Sequence, residues 1–559
     1  MDATKTTQVW ITPNQYLMLA ISAFIMLTGN LSFYQKVTEV YPWAQGNAPF
    51  LISLFLLFTA ATAFLLNVLT YRTSSRWVLA VFLVASSAAA YFMDKYGTVI
   101  DYEMLINLLQ TNVSEAGDLL NLNMLLRIVC FGLIPAILVI RYKSEVLSHK
   151  LELRSKAFTA VTLLVIMGAC IAPFTSQYAS FFRAHKSIRF YANPSYFTYS
   201  LVRLIDIQLA DIDAGPPKAV ATDTQLNEPD DMANHNELIV LVVGETARAD
   251  RFSLNGYNRL TNPLLEKENI VSLSQVTSCG TSTAVSVPCM FSNIKMNDFS
   301  IQKASKLENV LDVLKREGVE VLWRDNNSDS KGVALRVDYE DYRNPKNNPV
   351  CDEECRDVGM LEGLEAYVKA RQGKDILIVL HQMGNHGPAY FKRYPKEFEK
   401  FTPVCKTNEL SKCTQQEIDN AYDNAILYTD YFLSKVIGFL KKHDKSHETA
   451  MLYVSDHGES LGEYGMYLHG APRAFAPKVQ THVASVVWMG NQFDYTIKDL
   501  KPYAQKALSH EDLFCTLLLG YEMNTTDCFK EKQIATKHHA DAINTEYSQA
   551  TTKKQVAVD

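Results

Sequence analysis

Asp456 and His457 stand side by side where an apolar run stops, in Tyr453-Val454-Ser455-Asp456-His457-Gly458-Glu459-Ser460. Two more apolar runs end on residues of the same chemistry. Leu238 to Val243 leads into Gly244-Glu245-Thr246, and Ile376 to Leu380 leads through His381 toward Gly384-Asn385-His386. Open α/β sheets hold their reactive groups at strand ends, so three such ends can offer a glutamate, an aspartate and histidines to one metal-sized space. Carboxylate and imidazole without a thiolate form the donor set of a catalytic zinc that keeps a position open. Each residue alone reads as well as a solvated loop residue; the set points to a metal.

A second stretch could supply a nucleophile. Cys279-Gly280-Thr281-Ser282-Thr283-Ala284-Val285-Ser286-Val287-Pro288-Cys289 packs hydroxyl side chains into a loop that a disulfide could close. A Thr or Ser hydroxyl is a poor nucleophile until a metal or a base activates it. Zinc can do so by lowering the pKa of a hydroxyl-type ligand, and it also draws charge from phosphoryl oxygens. By itself the stretch reads as a Ser/Thr-rich surface loop.

The elements that carry these residues lie behind a membrane region. Apolar stretches at about Ile11–Tyr34, Asn47–Thr70, Arg76–Met93, Asn123–Ile140 and Ala157–Thr175 each approach the ~20 residues that cross ~30 Å of hydrocarbon. The first is too long for a signal peptide and is kept as an anchor. The loops sharing one side carry Arg72 and Arg76, then Arg141, Lys143, Lys150, Arg154 and Lys156. The others offer Lys36 and Lys95 among Asp94, Asp101, Glu103, Glu115 and Asp118. Positive-inside bias puts the N-terminus in the cytoplasm, and five crossings send everything after Thr175 to the far side.

Cysteine usage agrees with that topology. Of ten cysteines, Cys130 and Cys170 fall inside membrane segments and the rest follow Thr175. They fall in close pairs, Cys279 with Cys289, Cys351 with Cys355, Cys405 with Cys413 and Cys515 with Cys528, as four short-loop disulfides of an oxidising compartment would. Eight cysteines allow 105 connectivities, and zinc ligation by Cys351 and Cys355 is the alternative. A periplasm fits best.

Between membrane and sheet, Tyr178 to Gln208 mixes aromatics with Arg183, His185, Lys186, Arg189 and Arg203, as an interfacial helix would; an ordinary packed linker helix is the alternative. Asp213 to Glu237 contains Gly215-Pro216-Pro217 and little that could form a core, and reads as a tether. From there short Val/Ile/Leu strands alternate with helical patterns such as Gln416 to Lys441, which predicts a sheet with helices on both faces. The expected organisation is a five-helix transmembrane α domain over 1–176, interfacial helices and linker over 177–236, a periplasmic α/β catalytic domain over 237–530 and a polar tail over 531–559. The formal charge of −6, with no phosphate loop of the P-loop type and no basic run suited to nucleic acid, excludes nucleotide-loop and nucleic-acid-binding classes.

Taken together, Val243-Gly244-Glu245-Thr246-Ala247-Arg248, Cys279 through Cys289, His381-Gln382-Met383-Gly384-Asn385-His386-Gly387-Pro388 and Ser455-Asp456-His457-Gly458-Glu459 resemble the motifs of lipid A phosphoethanolamine transferases. The plasmid-borne colistin-resistance enzymes belong to the same family. The resemblance covers nearly the whole chain and implies an alkaline phosphatase/sulfatase fold in the periplasm of a bacterial inner-membrane protein. It also implies that Thr283 is the nucleophile and that Glu245, Asp456 and His457 complete one tight Zn2+ site with its oxygen. His386 and His469 match histidines that bind the substrate phosphate, a second, weaker Zn2+ or the leaving group. Lys331 matches a lysine near the phosphate, and Asn107 and Glu115 match residues holding the phospholipid headgroup. His381 reads better as a buried structural histidine.

The implied reaction transfers phosphoethanolamine from phosphatidylethanolamine to a lipid A phosphate through a phosphothreonine-type intermediate and confers polymyxin and colistin resistance. The expected partners are these two lipids and the membrane, with no nucleic acid, and the chain is expected to act as a monomer. Same-superfamily alternatives act on a core sugar, glycan, protein or water. A sulfatase needs a C/S-x-P-x-R signature that the hydroxyl loop lacks, and the disulfides and motif wording argue against a glycerol-phosphate transferase. From another class, a non-catalytic membrane sensor would use zinc as a structural staple.

Overall fold

The computed structural model describes residues 11–111, 113–143, 148–185, 187–212, 215–226 and 236–528. The chain divides into two compact units, one built from most of the residues up to Leu209 and one from most of those from Ala210 onward.

The first unit is helical. Four helices are long and apolar enough to cross a membrane, Ala48–Leu69, Arg72–Tyr96, Leu122–Arg141 and His149–Ala184. A fifth crossing requires Pro13–Thr28 and Leu31–Val40, bent by 62°, to act as one. The unbroken first span expected over Ile11–Tyr34 is therefore corrected to a broken one. Backbone groups freed in hydrocarbon must find protein partners, and here Asn30 and Asn193 supply them. Asn30 donates Nδ2 to the Asn193 carbonyl (2.7 Å) and accepts the Asn193 N–H (2.9 Å), while Asn193 Nδ2 donates to the Gly29 carbonyl (3.1 Å). The span Leu122–Arg141 contains a π-helical segment, Ile128–Leu133, just before Pro135. A proline without an N–H unsettles the preceding α-helical turn, and a wider turn accommodates it.

Within the expected interfacial stretch, helices run over Thr175–Ala184 and Ser195–Ile212. The stretch expected to be a coreless tether is corrected in part. Val220 and Ala221 are buried in the core of the second unit, and Gln225–Leu226 pairs antiparallel with Met523–Asn524. One short apolar pair in a polar run carries no periodicity by which to read it. Residues 213–214 and 227–235 of the tether and the tail over 531–559 lie outside the described residues.

Among the described residues, the second unit centres on a seven-stranded sheet. In spatial order the strands are Ile270–Ser272, Ser485–Met489, His447–Ser455, Asn236–Gly244, Ile376–His381, Glu320–Asp325 and Asp338–Asp341. The last five run parallel; Ser485–Met489 is antiparallel to both of its neighbours. Parallel strands covered on both faces read as continuous apolar runs, and Leu238 to Val243 and Ile376 to Leu380 are buried throughout. Each such side chain stabilises the fold by about 1.5–3 kcal/mol. The long helix Gln415–His443 starts at a capping box of Thr414 with Glu417 and ends on Lys441, Lys442 and His443, basic residues that suit the negative end of its dipole. Disulfides join Cys279–Cys289, Cys351–Cys355, Cys405–Cys413 and Cys515–Cys528.

Candidate metal centre and active site

Parallel pairing fixes which residues meet at the strand ends. Gly244 pairs with Ser455, and Val243 pairs with His381, so the next residues along, Glu245 and Asp456, emerge together. The ladder runs one bond further, from the Asp456 N–H to the Gly244 carbonyl (2.9 Å). Thr246 then takes a left-handed φ of 52°, a strained state kept where neighbours over-determine it. Its N–H donates to Asp456 Oδ1 (3.2 Å), and its carbonyl accepts the Tyr422 hydroxyl (2.6 Å).

Thr283 opens the helix Thr283–Met290, with Ser282 at the cap. The positive end of a helix dipole favours negative charge nearby. Thr283 Oγ1 lies 3.1 Å from Glu245 Oε2 and 3.3 Å from His457 Nε2, and it is buried with them. The Cys279–Cys289 disulfide ties the approach to this helix to its last turn. His510 fastens the same loop to the sheet, accepting the Cys279 N–H at Nδ1 (3.1 Å) and donating Nε2–H to the Ser455 carbonyl (3.0 Å).

His457 Nε2 lies 3.3 Å from Asp456 Oδ2 and 3.4 Å from Glu245 Oε1. Its Nδ1 is 2.9 Å from the Gly458 carbonyl; a carbonyl only accepts, so the proton sits on Nδ1 and Nε2 presents a lone pair. Burial, reinforced by the His469 imidazole, pushes this histidine down to about 3, which keeps it in the neutral form that ligates metal. Glu245 and Asp456 are fully buried side by side. Burial and the Glu245 charge drive the Asp456 carboxyl far up. Two such carboxylates ionise together only beside a cation. Among the described residues, Glu245 Oε1 and Asp456 Oδ2 are buried without a hydrogen-bond partner. With Thr283 Oγ1 and His457 Nε2 these oxygens make a donor set that fits a metal ion, and among the described residues Glu245, Asp456 and His457 form one of two groups close enough to hold one.

The second group is His457, Glu459 and His469. Glu459 received no role from sequence reasoning, although it closes the Asp-His-Gly-Glu motif. It is fully buried, accepts the Tyr390 hydroxyl at Oε1 (2.9 Å) and faces His469 Nδ1 from Oε2 (3.0 Å). A carboxylate only accepts, so His469 keeps its proton on Nδ1. The His469 ring centre lies 4.3 Å from that of His457 and 5.5 Å from that of His386, so both matched histidines border the cluster. The His469 turn is joined to the nucleophile loop by Gly470 N–H on the Thr281 carbonyl and Thr281 Oγ1 on the Ala471 carbonyl, both at 2.7 Å. Asn327, also missed, donates Nδ2 to Glu245 Oε2 and to the Gln382 carbonyl, each at 2.7 Å. Its only sequence signal was its place after a strand.

His381 is a buried partner of Asp325 (Nδ1 to Oδ2, 2.9 Å), as the sequence suggested. Lys331 turns its Nζ onto the Ser328 carbonyl (2.7 Å). Asn107 lies in the helix Tyr102–Gln110 and Glu115 in Val113–Leu119, both in the first unit; the Glu115 side chain is outside the described residues.

Comparison with known proteins gives this architecture a family. The Sulfatase family model matches residues 237–519, and the family described as "Phosphoethanolamine transferase EptA/EptB" matches residues 58–209. The chain is 47% identical over 523 residues to the phosphatidylethanolamine transferase Mcr-2 of Escherichia coli, covering 91% of this chain and 95% of that protein. It is 35% identical to the phosphoethanolamine transferase EptA of Salmonella typhimurium, covering 90% and 92%. The solved structure of the integral membrane lipooligosaccharide phosphoethanolamine transferase A from Neisseria meningitidis superposes with a TM-score of 0.87 at 36% identity, covering 93% of this chain and 98% of that one. The chain belongs to the phosphoethanolamine transferases, enzymes that join a membrane-spanning helical region to a sulfatase-type catalytic domain.

Proposed function

We propose that the enzyme moves phosphoethanolamine from phosphatidylethanolamine to a phosphate of lipid A through a covalent phosphoethanolamine-Thr283 intermediate. The observation that carries this reading is the buried Thr283 hydroxyl, 3.1 Å from Glu245 and 3.3 Å from His457 in a group fit for a cation. Glu245, Thr283, Asp456 and His457 would hold zinc, which when bound supplies a positive charge that acidifies the hydroxyl and stabilises phosphoryl oxygens. The relatives, a phosphatidylethanolamine transferase and a phosphoethanolamine transferase by name, support the donor and the transferred group.

In the first step Thr283 Oγ1 gives its proton to solvent as it attacks phosphorus. The bond from phosphorus to the glycerol oxygen breaks, and diacylglycerol leaves with a proton from His386 or His469. His469 suits that part: Glu459 holds Nδ1–H and sets the ring, so that a second proton carried on Nε2 is the one handed over. In the second step an oxygen of a lipid A phosphate attacks the same phosphorus, the bond to Thr283 breaks and the threonine regains its proton. Asn107 and Glu115 are assigned to the donor headgroup, where a glutamate suits the ethanolamine ammonium, and Lys331 is assigned to the phosphate. The added amine offsets lipid A negative charge and so weakens capture of cationic polymyxins.

The membrane is taken to be the bacterial inner membrane and the catalytic unit periplasmic, with a monomer sufficient for the site. The test is mass spectrometry of lipid A from cells expressing the chain or Thr283→Ala. The expected result is a gain of one phosphoethanolamine confined to the active chain. Modification by Thr283→Ala at the same level would end the assignment.

A further inference from the structure

Four donors converge on one buried carboxylate that no motif marks. Asp357 Oδ1 accepts the Met383 N–H (2.9 Å) and Asn326 Nδ2 (2.8 Å); its Oδ2 accepts the Gly384 N–H (3.1 Å) and Gln382 Nε2 (3.3 Å). Three of these donors belong to consecutive residues of the loop that leaves Ile376–His381 and reaches His386. A buried carboxylate satisfied on both oxygens holds its donors firmly, and removing the acceptor leaves them unsatisfied.

The segment just before Asp357 grips the far side of that loop. Arg393 donates Nε to the His386 carbonyl (2.6 Å) and pairs with Glu354, which lies inside the turn closed by Cys351–Cys355. Asn326 Nδ2 also reaches the Cys355 carbonyl (2.9 Å). The disulfide-closed turn and Asp357 thus hold residues 382–386 from two directions. On the metal side the loop has a bond of its own, from the Asn385 N–H to the Glu245 carbonyl (3.1 Å).

We infer that Asp357 is a positioning residue for His386: it touches neither substrate nor metal and acts by fixing the loop that carries the imidazole. This rests on the proposed role of His386 in the transfer. Side chains that align reacting groups do so within fractions of an ångström, and a loop that shifts by 1 Å costs rate rather than fold.

The test uses the full-length enzyme in detergent with phosphatidylethanolamine as donor, and compares Asp357→Asn, His386→Ala and the double variant. Asp357→Asn should keep its zinc and lose roughly tenfold in kcat with little change in KM. Its 382–388 peptide should exchange amide hydrogens faster, and in the His386→Ala background the same change should cost less than about twofold. Equal losses in both backgrounds, loss of zinc together with rate, or unchanged exchange in a folded Asp357→Asn would each overturn the inference. If Asp357→Asn fails to fold, Glu354→Gln, which loosens only the Arg393 grip, replaces it in the same cycle with the same criteria. A fully active His386→Ala would instead overturn the role given to His386, and with it the catalytic consequence of the clamp. Faster exchange without kinetic loss, where His386→Ala is impaired, overturns the clamp's role alone.

Discussion

Gly384 packs so closely on Glu245 that a β-carbon built on it would stand 2.9 Å from the Glu245 carbonyl oxygen and 3.1 Å from the Glu245 β-carbon. Gly384 also holds φ at +51°, a conformation that costs other residues about 1–2 kcal/mol. Gly384→Ala should therefore push Glu245 out of line. The expected outcome is at least a tenfold fall in kcat with a normal circular dichroism spectrum, and full activity in the variant would mean that the site tolerates displacement of its glutamate.

Removing the metal should stop transfer. Dialysis against a strong chelator is expected to bring turnover to background, with recovery on adding zinc back. Asn327→Ala, which leaves the ligands in place but frees Glu245 Oε2 from its donor, should weaken zinc binding by about 10–100-fold, the usual effect of losing a ligand's hydrogen-bond partner. Competition with a chromogenic chelator measures it, and unaltered affinity would count against Glu245 as a ligand.

His510 should make stability depend on pH in one direction. Burial holds it at about 4, below its ordinary 6.5, so the unfolded chain takes up this proton first as pH falls. Its contribution is complete above pH 6.5 and is lost progressively as pH falls toward 4, on the order of 3 kcal/mol over the window. Melting temperature measured from pH 7 to 4 should fall less steeply for His510→Gln than for the parent. Parallel slopes would show that His510 does not titrate with folding.

The Cys279–Cys289 bridge closes a loop with a sequence separation of 10. The loop-entropy relation puts the loss in a Cys279→Ser, Cys289→Ser double variant at about 2–3 kcal/mol. Because the same bridge frames Thr283, kcat should fall as well. Thermal melting and turnover on one sample check both, and a variant that is stable yet inactive would separate framing from stability.

Glu245, Asp456 and His457 were legible because a continuous apolar run has one evident end, and parallel strands in register bring their ends together. Thr283 was legible as a hydroxyl between two cysteines, and its identity among Thr281, Ser282 and Ser286 came from the family pattern. What escaped were residues whose partners lie far off in sequence. Asn327 meets Glu245 across 82 positions, Tyr390 meets Glu459 across 69, and neither has a local pattern. The break after Thr28 escaped because hydropathy averages over a window, whereas the bend depends on Asn30 meeting Asn193 across 163 positions.

Since the atoms assigned to the cation arrive from the ends of separate strands, and the first residue of a helix adds the last of them, no contiguous peptide of this protein contains the centre. An unfolded or half-built chain offers only scattered weak donors, so capture of the ion waits until the sheet has closed. On the proposed assignment zinc uptake doubles as a readout of assembly: a destabilised variant will shed its ion in step with its sheet, and cells short of zinc should accumulate enzyme that is correctly folded and idle.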